Sequence, residues 1–420
     1  MGVHCLTGRR GSGKTTRCVE TIRKLLGTGA PILFLVPEQD TVETEMHLAS
    51  ALNLSVFWNL EVLSLKRLAQ RIGQSAGGGA QVTLSDAGRA MALKGAMIGL
   101  RGGMKYYRSG ASGAADLMGD LMVELSRGES DATQLRLAAD QLPPEGALAQ
   151  KLYDLAAVYE EYDGRIAGKY QDGEDALRRS AQLCGQCGEL KDAYVFADGF
   201  DVLPRTALRL LAALGGVCRE VYATFDLCAA DAPDAALYDP VRFSAQTLKK
   251  MCGEGGVACE FEALADRELP NAELNHLSRQ LFSRKPQPWA KKPENVHLVY
   301  AKDPYMESER AAGYLFEKIR TEGLRCRDMA VLCPHIDLYG QRLEMALRRR
   351  GLRTYVDRRI SAAEHPAARY LLAALAGAAR YYRMDDMLRA LKSGYAGVSA
   401  READRLELYA MERGLEGRLG

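Results

Sequence analysis

The sequence lacks any hydrophobic run long enough to cross a membrane. No stretch of its 420 residues reaches the roughly 18 consecutive apolar residues of a spanning helix. The first residues also lack a basic region followed by an apolar one, which argues against a secretory leader. Net charge is only +2, so no global basic field attracts nucleic acid and any DNA contact must come from local patches. These absences predict a cytoplasmic protein without a membrane partner.

Histidine is scarce, and cysteine has no regular spacing. The six histidines include no H-x-x-x-H array, so metal-dependent hydrolysis has no support. The ten cysteines show no disulfide framework, which is typical of a reducing compartment. The C-x-x-C at Cys184 and Cys187 has neither a second pair at zinc-finger spacing nor a thioredoxin-like context, so we expect it to be structural.

The residues that are present have the composition of a globular α/β protein. Apolar residues make up 47% and charged residues 26% of the chain, and the length predicts two or three domains. Apolar, β-rich segments recur between amphipathic helical stretches, which favours parallel sheets covered on both faces. The predicted strands are 3–6, 31–36, 193–197, 221–225, 296–300 and 329–333.

Two changes in composition divide the chain. Between about 84 and 190 the strand signals vanish and Ala, Leu, Met and charged residues dominate, which predicts an inserted helical region. Residues 285–293 form a basic, Pro-rich connector of the kind that separates domains. Beyond it we expect a second α/β unit, with the strands 296–300 and 329–333 and helices near 305–321 and 337–350.

Near its start the chain fits the phosphate-binding pattern G-x-x-x-x-G-K-[ST] in full. The glycines let the backbone wrap an anion, Lys14 supplies a charge for the β- and γ-phosphates, and Thr15 is placed to bind Mg²⁺. A predicted strand before the loop and helical spacing after it put a helix N-terminus against the phosphate. The alternative is a Gly-rich turn that binds nothing. The residues predicted to bind ATP are Gly8, Arg9, Arg10, Gly11, Ser12, Gly13, Lys14, Thr15 and Thr16. We call this segment the phosphate loop.

A phosphate loop also needs a carboxylate on a neighbouring strand to hold Mg²⁺. Asp198 follows the strand predicted at 193–197 and is the candidate metal ligand, together with Thr15. The next residue is Gly199, whereas ATP-hydrolysing helicases commonly place there a Glu that orients the attacking water. Lys14 and Asp198 are therefore weak candidates for catalysis. The alternative is that Asp198 and Gly199 only form a turn, since Asp-Gly is a common turn pair.

Short motifs spread over the whole chain share the order of one family. They are Gly8–Thr16, 34–39 (FLVPEQ), 62–69 (VLSLKRLA), 196–200 (FADGF), 328–332 (DMAVL), 355–357 (YVD) with 365–366 (HP), and 392–394 (KSG) with 405–409 (RLELY). On these motifs the chain resembles the B subunits (AddB) of AddAB-type ATP-dependent helicase/deoxyribonucleases. Full-length members are far longer, so the resemblance implies an N-terminal portion.

The resemblance implies a P-loop NTPase of α/β class, with superfamily 1 helicase-like tandem parallel-sheet domains and a helical insertion. On this sequence, 1–83 and 190–284 would form the first motor-like domain and 84–189 the insertion. The remaining segments would be the linker 285–293, the second motor-like domain 294–384 and, in 385–420, the start of a further subdomain that is cut short.

The resemblance also implies a subunit that binds ATP, Mg²⁺ and single- and double-stranded DNA. Its partner would be an AddA-type motor and nuclease subunit, and the pair would process double-strand breaks for recombinational repair and recognise a Chi-type sequence. A 5′→3′ exonuclease and a 4Fe–4S cluster are expected only in the C-terminal region of full-length members. The chain alone would hydrolyse ATP weakly or not at all, without nuclease activity.

Two other functions stay open. An autonomous superfamily 1 helicase would have the same loop, but Gly199 and the lack of a Gly-Asp-x-x-Gln element after Asp198 count against it. A small-molecule kinase could also have the loop, but such enzymes are usually shorter and lack the insertion and the second α/β unit.

Clustered basic residues are the candidate DNA contacts, because guanidiniums displace the counterions of DNA. The principal members are Arg348, Arg349, Arg350 and Arg353, which we call the arginine cluster. They are flanked by Arg342, Arg358 and Arg359. The alternative is a solvated helix face followed by surface arginines. A second group could grip and stack on a single strand, unless its tyrosines face a core. Its members are Arg101, Lys105, Tyr106, Tyr107 and Arg108.

Overall fold

The structure is a computed structural model, and it describes residues 1–56, 58–77, 82–100, 102–107, 114–171, 173–268, 270–356 and 362–417. Arg101, Arg108, Arg358 and Arg359 lie outside the described residues. The chain divides into two units, Met1–Val296 and His297–Gly420. Among the described residues, no helix is long and apolar enough to cross a membrane.

The first unit is built on one parallel sheet. Its strands are β1 Val3–Gly8, β2 Ile32–Leu35, β3 Leu60–Leu63, β6 Tyr194–Ala197, β7 Glu220–Asp226 and β8 Cys259–Ala263, while β4 Val82–Thr83 and β5 Tyr170–Gln171 pair separately. The six strands lie in the order β3-β2-β6-β7-β1-β8. All of these pairings are parallel. The expected α/β class and four of the predicted strands are confirmed.

Helices cover both faces of this sheet because successive strand residues point to opposite sides. Ile32 and Phe34 pack in one core and Leu33 and Leu35 in the other. The helices of this unit are α1 Lys14–Leu25, α2 Thr41–Leu52, α3 Leu65–Ser75, α4 Asp86–Gly99, α5 Ala114–Arg127, α6 Ala132–Asp140, α7 Ala147–Ile166, α8 Gly173–Leu183, α9 Arg205–Val217, α10 Asp239–Glu254 and α11 Ala272–Gln280.

The central strands are fixed in register by stacked aromatic rings. Phe34, Phe196 and Tyr222 are register partners on neighbouring strands. Their ring centroids are 6.2 Å and 4.8 Å apart in turn. Because a slip by one residue would move these rings to the opposite face, the stack stabilises the alignment of the strand ends.

The region between about 84 and 190, where the strand signals vanish, is mostly helical, and it also contains the two-residue strand β5. Helices α4 to α7 enclose a separate apolar core that includes Leu93, Met118 and Tyr159. At the end of α5, Glu129 accepts hydrogen bonds from Arg209 of α9, and this lowers the pKa of Glu129. The exact domain boundaries predicted from the sequence stay predictions.

The predicted linker 285–293 lies along α11. His276 Nε2 is 2.8 Å from the Gln287 carbonyl oxygen. The Glu273 carboxylate accepts the backbone N–H groups of residues 294–296 at 2.7, 2.8 and 3.1 Å. Side chains of α11 therefore hold this Pro-rich segment in place.

In the second unit the helices agree with the sequence and the strands do not. Its helices are α12 Pro304–Glu322, α13 Ile336–Arg349, α14 Pro366–Ala379, α15 Met384–Leu391 and α16 Ala400–Arg413. The predicted strands 296–300 and 329–333 are wrong, because no strand occurs among the described residues of this unit. Leu298 is 79% exposed and Leu332 90%. A strand needs a hydrogen-bonded neighbour, and the described residues of this unit offer none.

Candidate functional site

The phosphate loop joins β1 to α1 at the carboxyl edge of the sheet. Gly11 and Gly13 have φ of 83° and 95°, in the left-handed region that favours glycine. A Cβ on Gly8 would lie 2.4 Å from Ser12 Oγ. That hydroxyl oxygen is buried and has no hydrogen-bond partner within the described residues. The loop thus requires glycine at these three positions and leaves one buried hydroxyl unsatisfied.

Lys14 begins α1, and its side chain is only 8% exposed. Its Nζ donates to the carbonyl oxygens of Gly8 and Arg9 at 2.8 and 2.9 Å. The same atom lies 2.7 Å from Asp226 Oδ1. An ammonium buried in this way requires such partners, because desolvation disfavours an isolated charge.

The structure brings Thr15 and Asp198 together, as the metal-site prediction requires. Thr15 Oγ1 donates to Asp198 Oδ2 at 2.7 Å, and Thr224 Oγ1 donates to Asp198 Oδ1 at 2.6 Å. Asp198 follows β6 and is 7% exposed. Thr16 lies exposed in the first turn of α1. Asp198 is therefore held by two hydroxyls at the position where β6 meets the phosphate loop.

Gly199 occupies a left-handed turn, with φ of 78°. A Glu at this position would adopt that conformation only with strain, since side chains with a Cβ disfavour it. The turn and the placement of Asp198 beside Thr15 occur together, so the turn interpretation and the metal interpretation are compatible. The backbone itself disfavours a water-activating Glu directly after Asp198.

The loop arginines are paired with carboxylates. Arg9 donates to both oxygens of Asp234 at 2.5 and 2.6 Å, and its Nε is 3.1 Å from Asp266 Oδ2. The hydrogen bond from Arg9 holds the pKa of Asp234 below its ordinary value. Arg10 donates to Asp226 and to Asp201, each at 2.9 Å, and the bond to Asp226 raises the pKa of Arg10.

Sequence reasoning missed four residues that contact the loop: Asp226, Asp234, Asp266 and Arg267. A Cβ on Gly13 would lie 2.7 Å from Arg267 Nη2, so this guanidinium packs directly on the loop. Asp226 directly follows the predicted strand 221–225 and ends the observed strand β7, and this position is the one signal that could have found it. Asp266 and Arg267 follow β8, a strand that the sequence pattern did not predict.

A cleft opens beside the Thr15–Asp198 pair. It has a volume of about 390 Å³, and its lining includes Phe34, Pro37 and His47. Asp40 and Glu43 also line it, which gives the cleft an acidic character next to the carboxylate of Asp198. The FLVPEQ motif therefore forms one wall of the space beside the candidate metal ligands.

In the second unit, most of the arginine cluster is paired with glutamates. Arg350 Nη1 donates to Glu309 Oε2 at 2.7 Å, and Arg349 Nη1 lies 3.3 Å from Glu309 Oε1. Arg348 Nη2 is 2.6 Å from Glu344 Oε1. Arg353 is exposed and forms no ion pair with any described residue. Three arginines of the cluster are thus paired with glutamates, whereas Arg353, which follows α13, has no ion-pair partner among the described residues.

The tyrosine pair of the insertion is held at its backbone. The buried carboxylate of Asp154 accepts the N–H groups of Lys105, Tyr106 and Tyr107 at 3.0, 2.7 and 3.0 Å. Tyr107 packs against the helical core, and burial raises its pKa. Tyr106 is 46% exposed, so only one ring of the pair is open to a stacking base.

The other sequence candidates have structural positions. Cys184 and Cys187 are buried in the main core, where burial raises the pKa of Cys184. His365 directly precedes α14, and its Nδ1 accepts the N–H of Ala367 at 3.2 Å. His365 is thus a helix-capping residue.

Comparison with known proteins gives a consistent result. The family described as "ADDB, N-terminal" matches residues 5–278. Proteins named as the B subunit of an ATP-dependent helicase/deoxyribonuclease are similar over the chain, for example those of Heliobacterium modesticaldum (32% identical, 100% of this chain, 36% of the relative) and Symbiobacterium thermophilum (31%, 98%, 37%).

The same name belongs to a relative from Moorella thermoacetica, which is 30% identical over 100% of this chain and 38% of its own length. The chain therefore spans little more than a third of the length of the curated relatives it matches. The family match covers more than half of the chain and includes most of β1, the phosphate loop and Asp198. The chain belongs to the AddB N-terminal family.

Proposed function

We propose that the chain binds ATP with Mg²⁺ at the phosphate loop and forms the helicase-like part of a helicase–nuclease subunit. The observation that carries this proposal is the meeting of Lys14, Thr15 and Asp198 at the carboxyl edge of a parallel sheet. Ligands of open parallel sheets bind at that edge, and a glycine-dependent loop before a helix N-terminus suits a polyphosphate.

The donor set fits the metal. Mg²⁺ prefers oxygen ligands, and the hydroxyl of Thr15 and the carboxylate of Asp198 supply them. When bound, Mg²⁺ would neutralise charge on the β- and γ-phosphates. The unsatisfied Ser12 hydroxyl gives the loop one further polar atom for a polar ligand.

The wider role rests on the relatives and the family motifs. The relatives are named as one component of an ATP-dependent helicase/deoxyribonuclease, which supports DNA as substrate and an AddA-type motor protein as partner. We propose that the assembly processes double-strand breaks for recombinational repair and responds to a Chi-type sequence. The 5′→3′ exonuclease and the 4Fe–4S cluster would lie in the part of the relatives that this chain does not span.

The decisive test is Lys14→Ala, with Lys24→Ala as the control because Lys24 is exposed on the same helix. Loss of a charged hydrogen-bond donor to phosphate costs about 1.5–3 kcal/mol, so ATP affinity should fall at least about tenfold. Isothermal titration calorimetry with Mg·ATP measures this change, and circular dichroism checks the fold. Equal ATP affinity in Lys14→Ala and Lys24→Ala would show that the phosphate loop does not bind ATP through Lys14.

ATP turnover separates this function from an autonomous helicase. Because Gly199 leaves no base directly after Asp198, we expect very slow or no turnover, with or without single-stranded DNA. A coupled phosphate-release assay measures it. DNA-stimulated turnover in the range of about 1–10³ s⁻¹ would favour the autonomous helicase instead.

A further inference from the structure

The ammonium of Lys14 has its hydrogen-bonding capacity filled by the protein itself. An ammonium has three donors, and Nζ has partners in Gly8 O, Arg9 O and Asp226 Oδ1 at 2.8, 2.9 and 2.7 Å. Two of these partners are main-chain atoms of the loop. The third is a side chain that can rotate. A phosphate oxygen can reach Nζ most simply by replacing Asp226.

The backbone of Asp226 is fixed next to the loop. It is the register partner of Gly8 in the β1–β7 pairing, and the N–H of Leu227 donates to the Gly8 carbonyl at 3.0 Å. The side chain is different, because it is 22% exposed and has room to move. Its Oδ2 accepts from Arg10 Nε at 2.9 Å. One carboxylate thus links Lys14 to Arg10.

The loop's positive charge is neutralised from within the unit. Arg9, Arg10 and Lys14 lie within ion-pair distance of the carboxylates of Asp201, Asp226, Asp234 and Asp266. Asp234 is buried, with 2% of its side chain exposed, and its ion pair is with Arg9. Among these carboxylates only Asp226 contacts Lys14, the residue on which phosphate binding depends.

We propose that Asp226 is an anionic latch that competes with the nucleotide's phosphates for Lys14. This inference rests on the proposed nucleotide site and adds how that site is regulated. In the latched state the Asp226 carboxylate is ion-paired with Lys14 and Arg10. When a polyphosphate binds, the Asp226 side chain rotates away from Lys14, and the phosphate takes its place. Nucleotide affinity then depends on how much more strongly Lys14 binds the phosphate than it binds the Asp226 carboxylate.

The test compares Asp226→Asn with wild type and with Asp231→Asn in the 420-residue chain. Asp231 lies exposed in the connection after β7 and forms no ion pair with the described residues. Asp231→Asn therefore changes the net charge by the same amount as Asp226→Asn but removes no ion pair. Asparagine keeps the shape of Asp226 and removes its charge. Losing a competing ion pair of about 1 kcal/mol or somewhat more should tighten binding about five- to tenfold, while Asp231→Asn should stay within about twofold.

Calorimetry with sodium tripolyphosphate, without Mg²⁺, and with Mg·ATP provides two readouts. Tighter binding of both ligands by Asp226→Asn supports the latch, as does binding by this variant when wild type binds too weakly to measure. Unchanged or weaker tripolyphosphate binding overturns it. Weaker binding of Mg·ATP alone also overturns it, because Asp226 would then hold the metal.

The two proposals fail in different ways. If wild type binds ATP, Lys14→Ala does not, and Asp226→Asn equals wild type, the latch is wrong and the nucleotide site stands. If no variant binds either ligand, the nucleotide site fails and the latch fails with it.

A crystal structure of the wild-type chain with Mg·ADP tests the latch without relying on the folding of a variant. We expect Lys14 Nζ and Asp226 to be beyond hydrogen-bond distance there, and a retained contact would overturn the latch.

Discussion

The apolar runs of β2 and β6 in the first unit lie inside a six-stranded sheet, whereas two apolar runs of the second unit have leucines open to solvent. Phe34 and Phe196, on β2 and β6, are 1% and 0% exposed. Leu298 and Leu332, in segments of similar composition, are 79% and 90% exposed. An apolar run thus favours an extended backbone, while its burial depends on neighbouring strands and helices that the run itself does not specify.

The cations of the two units differ in a similar way. Lys14 is 8% exposed and is held by groups from β1 and β7. The side chain of Arg348 is 71% exposed and pairs with Glu344 one helical turn away. Around the phosphate loop, the charge pairs join distant parts of the chain and are partly buried. In the second unit, Arg348 has a local, solvated pair of the kind that contributes little to stability.

The largest expected effect is on the core of the sheet. Phe196→Ala should lower the free energy of unfolding of the first unit by about 3–5 kcal/mol, because it removes a buried ring from a packed stack. Leu332→Ala should change stability by no more than about 0.5 kcal/mol. Urea unfolding followed by circular dichroism measures both. A cost for Leu332→Ala near that of Phe196→Ala would show that the second unit buries this segment.

A smaller effect is expected at Arg9. Asp234→Asn should cost about 2 kcal/mol, because it removes charged hydrogen bonds at a buried site. Asp266→Asn, at a carboxylate 48% exposed, should cost about 1 kcal/mol or less. Urea midpoints of the two variants give the comparison. Equal costs would contradict the distinction between the buried and the exposed partner of Arg9.

The same pair predicts a pH dependence. Because Arg9 lowers the pKa of Asp234 below its ordinary 3.8, the stabilisation is fully present above that value. It is lost as pH falls from 3.8 through the lower, folded-state pKa. The difference in urea midpoint between wild type and Asp234→Asn should therefore shrink in this acidic range. A difference that stays constant down to pH 3 and below would contradict the role of the charge.

The smallest effect concerns DNA. If the arginine cluster contacts phosphates, Arg353→Ala should weaken binding of single-stranded DNA by a few fold and reduce the salt dependence by about one counterion. Arg350→Ala should change DNA affinity less, because its guanidinium is bound to Glu309 and to the Ala346 carbonyl. Fluorescence anisotropy at several salt concentrations measures this. Equal salt slopes in all three proteins would leave the cluster as a solvated surface.

Most of the first unit could be predicted from the sequence because its signals are local. Strands β1, β2, β6 and β7 are continuous apolar runs. Strand β3 escaped prediction because the exposed Glu61 interrupts its apolar run, and β8 escaped because it is an edge strand with glutamates and little burial. The second-unit strands were predicted wrongly for the opposite reason, since their apolar runs met no partner strand among the described residues.

The phosphate loop is recognisable from the amino-acid sequence alone, because its glycines, Lys14 and Thr15 act through the conformation of one short segment. The charges that surround this segment are brought there by the fold. Parallel pairing brings the ends of β6, β7 and β8 to one edge of the sheet, beside β1. Asp198, Asp226 and Asp266 thereby reach a loop about two hundred residues away in sequence, a meeting that depends on strand order and that no local pattern encodes.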